Sequence, residues 1–135
     1  MIGDNYWVLT ILYCFYVSVV VRVRPFLQSE NKLGKKGRIQ CVQTKHPHDD
    51  TEIILVRPGF DLKEFQYDHI LDLESSQDQA YGLLASPVVD DVLNGFNGVI
   101  MAYGQTGSGK THTIFGSPQQ YGIVPRAVHQ IFDFI

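Results

Sequence analysis

Basic residues are scarce in this 135-residue chain: Lys and Arg total 11 against 14 Asp and Glu, for a net charge of −3. A nucleic-acid-binding face needs a clustered cationic excess, so none is expected. The one basic cluster, Lys32-Leu33-Gly34-Lys35-Lys36-Gly37-Arg38, carries two glycines and reads as a solvated loop. Cysteine is nearly absent as well. Cys14 and Cys41 show no CxxC or Cys/His spacing, which argues against a disulfide framework or a structural zinc site. His46, His48, Asp49 and Asp50 share a Pro-containing turn without the fixed spacing of metal ligands, so no metal is expected there. Long apolar runs are lacking too. The longest, from Trp7 to Val21, is shorter than the ~18–20 residues a spanning helix needs. No Lys or Arg precedes it and no small-residue cleavage site follows, so membrane insertion and secretion are not expected. Its β-branched and aromatic content suits a long buried strand; a wrongly joined first segment is the other reading.

What is present is the composition of one small globular domain, with 44 % apolar and 19 % charged residues. The segment 18–23 (SVVVRV) reads as a strand ended by Pro25, which cannot donate to a ladder. Segments 38–43, 52–57 and 63–67 predict three further strands, with a turn over 46–50 and a stop at Pro58-Gly59. Ser76 followed three residues later by Gln79 is a capping-box signal. Beyond it Tyr81, Leu84, Val88 and Val92 recur at helical spacing, predicting one helix to Leu93 with a kink at Pro87. After the Asn97-Gly98 turn, Val99–Tyr103 (VIMAY) is a short apolar strand that runs into a glycine-rich loop. A helix from Lys110, a break at Gly116-Ser117-Pro118 and an amphipathic helix from about Pro125 complete the pattern. Strands alternating with helices indicate an α/β sheet with helices on both faces.

The loop is the informative feature. Gly104-Gln105-Thr106-Gly107-Ser108-Gly109-Lys110-Thr111 matches G-x-x-x-x-G-K-[ST] at every position. Such a loop wraps a phosphate with inward-pointing backbone N–H groups, and glycines permit the close approach and positive φ angles this requires. A helix start directly behind it adds free N–H groups of the same polarity. Lys110 supplies a point charge for the β- and γ-phosphates, and the Thr111 hydroxyl is a ligand for Mg²⁺. Those two residues are the candidate catalytic pair, and ATP with Mg²⁺ the expected cofactor set.

The stretch Gly95–Gly116, GFNGVIMAYGQTGSGKTHTIFG, resembles the signature of the kinesin motor family. Three other segments are similar in kind and order: Val21–Pro25 (VRVRP), Phe65–Leu71 (FQYDHIL) and Gly122–Ala127 (GIVPRA). The resemblance runs from about Ser18 to the last residue. It implies a P-loop NTPase of kinesin-motor type, with a partial central mixed β-sheet flanked by helices on both faces. Residues 1–17 form an extension without family likeness, and 18–135 the amino-terminal part of a motor domain. Arg22, Arg24 and Pro25 would line the adenine and ribose side of the nucleotide, with His112 near the base.

The same resemblance implies a microtubule, hence tubulin, as partner, a place in the cytoplasm on the cytoskeleton, and a parent protein that dimerises through other regions. Two switch segments that the family uses to sense the γ-phosphate, N-x-x-S-S-R-S-H and D-x-x-G-x-E, do not occur in these 135 residues. Hydrolysis is therefore an expectation for the parent protein. A P-loop NTPase of another, non-motor branch and a binding module that holds nucleotide without turnover stay open as alternatives.

Overall fold

The computed structural model describes residues 6–12, 17–26, 42–46, 49–55 and 63–135. Cys14, Cys41, His48, Pro58, Gly59 and the basic cluster at Lys32–Arg38 lie outside them. Four strands form the principal sheet: β1 (Tyr6–Leu12), β2 (Val17–Val23), β6 (His69–Leu71) and β7 (Val99–Tyr103), in the order β6-β2-β1-β7. A second, antiparallel sheet joins β3 (Val42–His46), β4 (Asp49–Leu55) and β5 (Lys63–Gln66). The turn at Gly116 is a two-residue ladder, β8 (Gly116–Ser117) with β9 (Gln120–Tyr121).

The run from Trp7 to Val21 is not one strand. It supplies two, paired antiparallel from Tyr6 opposite Val23 to Leu12 opposite Val17. β1 also pairs antiparallel with β7, so the strand leading into the glycine loop is separated from β2 by residues of the extension. β1, within residues 1–17, is thus hydrogen-bonded to the segment that follows. β6, too short to stand out in the sequence, lies parallel to β2. Asp68 holds its start in place, accepting from Val19 N–H at 2.7 Å on Oδ2 and donating its own N–H to Val19 O at 3.1 Å.

The helices are α1 (Gln77–Leu84), α2 (Ser86–Leu93), α3 (Lys110–Ile114) and α4 (Ile123–Phe134). Ser76 caps α1 through the reciprocal pair of hydrogen bonds with Gln79 that the sequence predicts. The single kinked helix is corrected to two helices that meet at Ala85. Pro87 lacks the N–H that would continue the ladder, its ring crowds the preceding turn, and it serves instead in the first turn of α2.

One buried cluster unites these parts: Val20 and Leu71 from the sheet, Ala80 and Leu84 from α1, then Ala85, Val88 of α2 and Ile123 of α4. Ile100 and Ala102 of β7 and Ile114 of α3 pack against its rim. Strand residues alternate between faces, so Val99, Met101 and Tyr103 point away from this cluster, and all three are exposed. At β7, among the described residues, helices therefore cover one face. A tyrosine–glutamine contact fixes α4 to α1, with Tyr81 Oη donating to Gln130 Oε1, and Gln130 Nε2 also donates to Asp90 Oδ1 of α2 at 2.7 Å.

Candidate functional site

The glycine loop leaves the end of β7 at Gly104 and enters α3 at Lys110. Gly107 and Gly109 hold φ angles of 82° and 110°, a region other residues rarely adopt, and Gly109 is the residue that caps α3. These two glycines give the loop its curvature. Lys110 Nζ curls back over it, donating to Gly104 O at 2.7 Å and Gln105 O at 2.6 Å. Its charge therefore sits above the loop rather than out in solvent. Ser108 is buried at 1 % exposure, and its Oγ has no hydrogen-bond partner in the protein. Thr111, the second residue of α3, is exposed. Gln105 and Thr106 are exposed at the tip of the loop.

Beside the loop lies a cavity of about 240 Å³. Its walls bring together six of the residues singled out in the sequence: Arg22, Arg24, Pro25, Gly107, Gly109 and His112. Val23, Leu73, Ser75 and Thr113 complete it. Among the described residues, no carboxylate lines it and two arginines do. The potential inside favours an anion-bearing ligand. A more open hollow of about 710 Å³ runs along β6 and α1 but is lined by Asp72 and Glu74 and by no residue of the loop, which makes it a poor place for phosphate.

The two arginines do different work. Arg24 stays near the surface, with Nη1 donating to Pro25 O at 3.0 Å. Arg22 is buried at 8 % exposure. Its Nη1 donates to Gln77 Oε1 and to Thr113 Oγ1, both at 2.7 Å, and Nη2 to Ser75 O at 3.0 Å. Burial pulls the Arg22 pKa below its ordinary value. Three of its donor bonds are thus satisfied within the protein, and it ties β2, the start of α1 and α3 together behind the cavity. His112 is held from the same side: Gln77 Nε2 donates to His112 O at 2.6 Å and lies 3.3 Å from its Nδ1. Desolvation, and then the nearby Arg22 charge, lower the His112 pKa.

Gln77, Ser75 and Thr113 were not singled out by motif reasoning. Gln77 occupies the first turn of a capped helix, where a polar residue is unremarkable, and only its burial at 6 % marks it. Nothing local in the sequence points to that burial.

A loop of this shape, next to an arginine-lined cavity and above a buried serine hydroxyl without a partner among the described residues, fits the triphosphate end of a nucleotide with its metal ion. Comparison with known proteins agrees in kind. The family profile described as the kinesin motor domain matches residues 22–135. A kinesin heavy chain from Doryteuthis pealeii is 42 % identical over 122 residues, which is 88 % of this chain and 12 % of that protein. Human kinesin-1 heavy chain is 39 % identical over 122 residues with the same coverage. Human centromere-associated protein E is 37 % identical over 119 residues, 88 % of this chain and 4 % of that protein. The chain spans about an eighth or less of the length of these relatives.

Proposed function

The chain belongs to the kinesin motor-domain family, and from that premise we propose that its parent protein is an ATP-driven microtubule motor whose nucleotide site is built on the Gly104–Thr111 loop. The observation that supports this most directly is the loop itself: two left-handed glycines and a back-folded lysine beside a cavity lined by arginines and, among the described residues, by no acid. In this reading the loop N–H groups and Lys110 hold the β- and γ-phosphates. The Thr111 hydroxyl would hold a Mg²⁺ ion, whose charge would offset that of the phosphates. Arg24, Pro25 and His112 flank the base and ribose. Arg22 faces the same cavity but acts chiefly as a strut, because its donors are bound to Gln77, Thr113 and Ser75.

Tubulin is the proposed macromolecular partner and the microtubule cytoskeleton the proposed location. Among the described residues, no helix is long and apolar enough to cross a membrane. The test is Lys110→Ala and Thr111→Asn in the full-length protein. Each is expected to abolish microtubule-stimulated ATP hydrolysis. Normal stimulated turnover in either variant rules out the site, and an ATPase indifferent to microtubules favours a non-motor branch.

A further inference from the structure

The amide of Gln77 is oriented by its neighbours. Its oxygen meets Arg22 Nη1, and a guanidinium can only donate. Its nitrogen meets the His112 carbonyl, which can only accept. Both constraints select the same orientation, so the second Nε2–H faces His112 Nδ1 at 3.3 Å. Nδ1 must then carry a lone pair, and the ring proton belongs on Nε2, at the far edge of the imidazole. A proton added at Nδ1 would set two donors against each other.

We propose that Gln77 is a positioning residue: it relays the direction of the buried Arg22 hydrogen bond to His112 and holds that imidazole as the uncharged Nε2–H tautomer in the cavity wall. A neutral ring suits a wall that stacks against a heteroaromatic base, and this last point rests on the nucleotide-site reading above. The charged groups around the ring act in the same sense. β2 contributes Arg22 and Arg24, both cationic, to the same cavity. On its own helix Lys110 is engaged by the loop carbonyls. From α1 comes only the neutral Gln77, since the neighbouring carboxylate of Asp78 pairs with Arg126 of α4. Among the described residues, none of those lining the cavity is an acid.

The experiment is a long-range ¹H–¹⁵N spectrum of the histidine rings of the whole ¹⁵N-labelled chain across pH 5–8, with His112→Gln assigning the signal. The expected wild-type pattern is a protonated Nε2 and a bare Nδ1 at neutral pH. Gln77→Glu replaces the donor with an acceptor, and should move the ring proton of His112 to Nδ1 at neutral pH. A purely structural role would alter unfolding and leave the tautomer unselected. An Nδ1–H tautomer in the wild type overturns the proposal, and this holds even if the variant does not fold. An Nε2–H tautomer retained in folded Gln77→Glu overturns it as well. Adding Mg·ATP to the wild type then separates the two claims: if the tautomer is as expected but the His112 signals ignore nucleotide, the nucleotide-site reading fails while the relay stands.

Discussion

Arg22 Nη1 and Thr113 Oγ1 meet at 2.7 Å although 91 residues separate them in the chain. The contact fastens the end of β2 to the helix that follows the glycine loop. Arg22 also holds Gln77 and the Ser75 carbonyl, so one side chain sets the spacing of three elements around the cavity. Replacing it with Ala strands two buried side-chain partners at once. The expected cost is about 2–6 kcal/mol, given that each orphaned buried group costs roughly 1–3. Urea unfolding of wild type and Arg22→Ala checks this, and a loss under about 0.5 kcal/mol would show that the strut carries no weight.

Glycine substitutions should separate folding from binding. At Gly107 a Cβ meets nothing within 4 Å, yet the φ of 82° disfavours any side chain. Gly107→Ala should cost about 1–2 kcal/mol and distort the proposed phosphate loop. At Gly116 the φ is 75° and a Cβ would lie 2.1 Å from Gln120 O, so strain and backbone collision combine. Gly116→Ala is expected to be the more destabilising of the two by thermal unfolding, although it lies outside the loop.

The capping box offers a control remote from the site. Ser76→Ala removes an N-cap and should lower stability by about 1 kcal/mol. Nucleotide affinity, measured by calorimetry, should stay within twofold of wild type. A larger change would mean that α1 position feeds directly into the site through Gln77.

Acid should weaken the fold through His112. Its folded pKa lies below the unfolded value, so the unfolded chain binds the proton first as pH falls. The contribution is intact above about pH 6.5 and is lost progressively as pH drops from there through the lowered folded value. Melting temperatures between pH 5 and 8 should therefore fall on the acid side, and His112→Asn should flatten that slope.

Apolar exposure predicts self-association of the 135-residue chain. Val128 and Phe132 of α4 are exposed, and Val99, Met101 and Tyr103 leave one face of β7 open. Val128→Lys with Phe132→Lys should reduce light scattering at a fixed concentration. Unchanged scattering would direct attention to the β7 face instead.

The glycine loop was legible in the sequence because its chemistry is local. Eight consecutive residues from Gly104 to Thr111 specify a backbone path, a charge and a hydroxyl, and no distant contact is needed to recognise them. The capping box at Ser76 and the strand at Val99–Tyr103 were legible for the same reason. The kinship was carried by short ordered motifs of that kind. Tertiary structure decided the rest. It broke the Trp7–Val21 run into two paired strands, since a ladder of backbone hydrogen bonds across the chain offers what periodicity cannot show. At Pro87 it chose two helices over one kinked helix. The same packing turned Arg22 inward to Gln77 and Thr113, because the acceptors that can satisfy a buried guanidinium lie 55 and 91 residues away. Local sequence determines which groups are available; only packing determines which of them must satisfy one another once water is excluded.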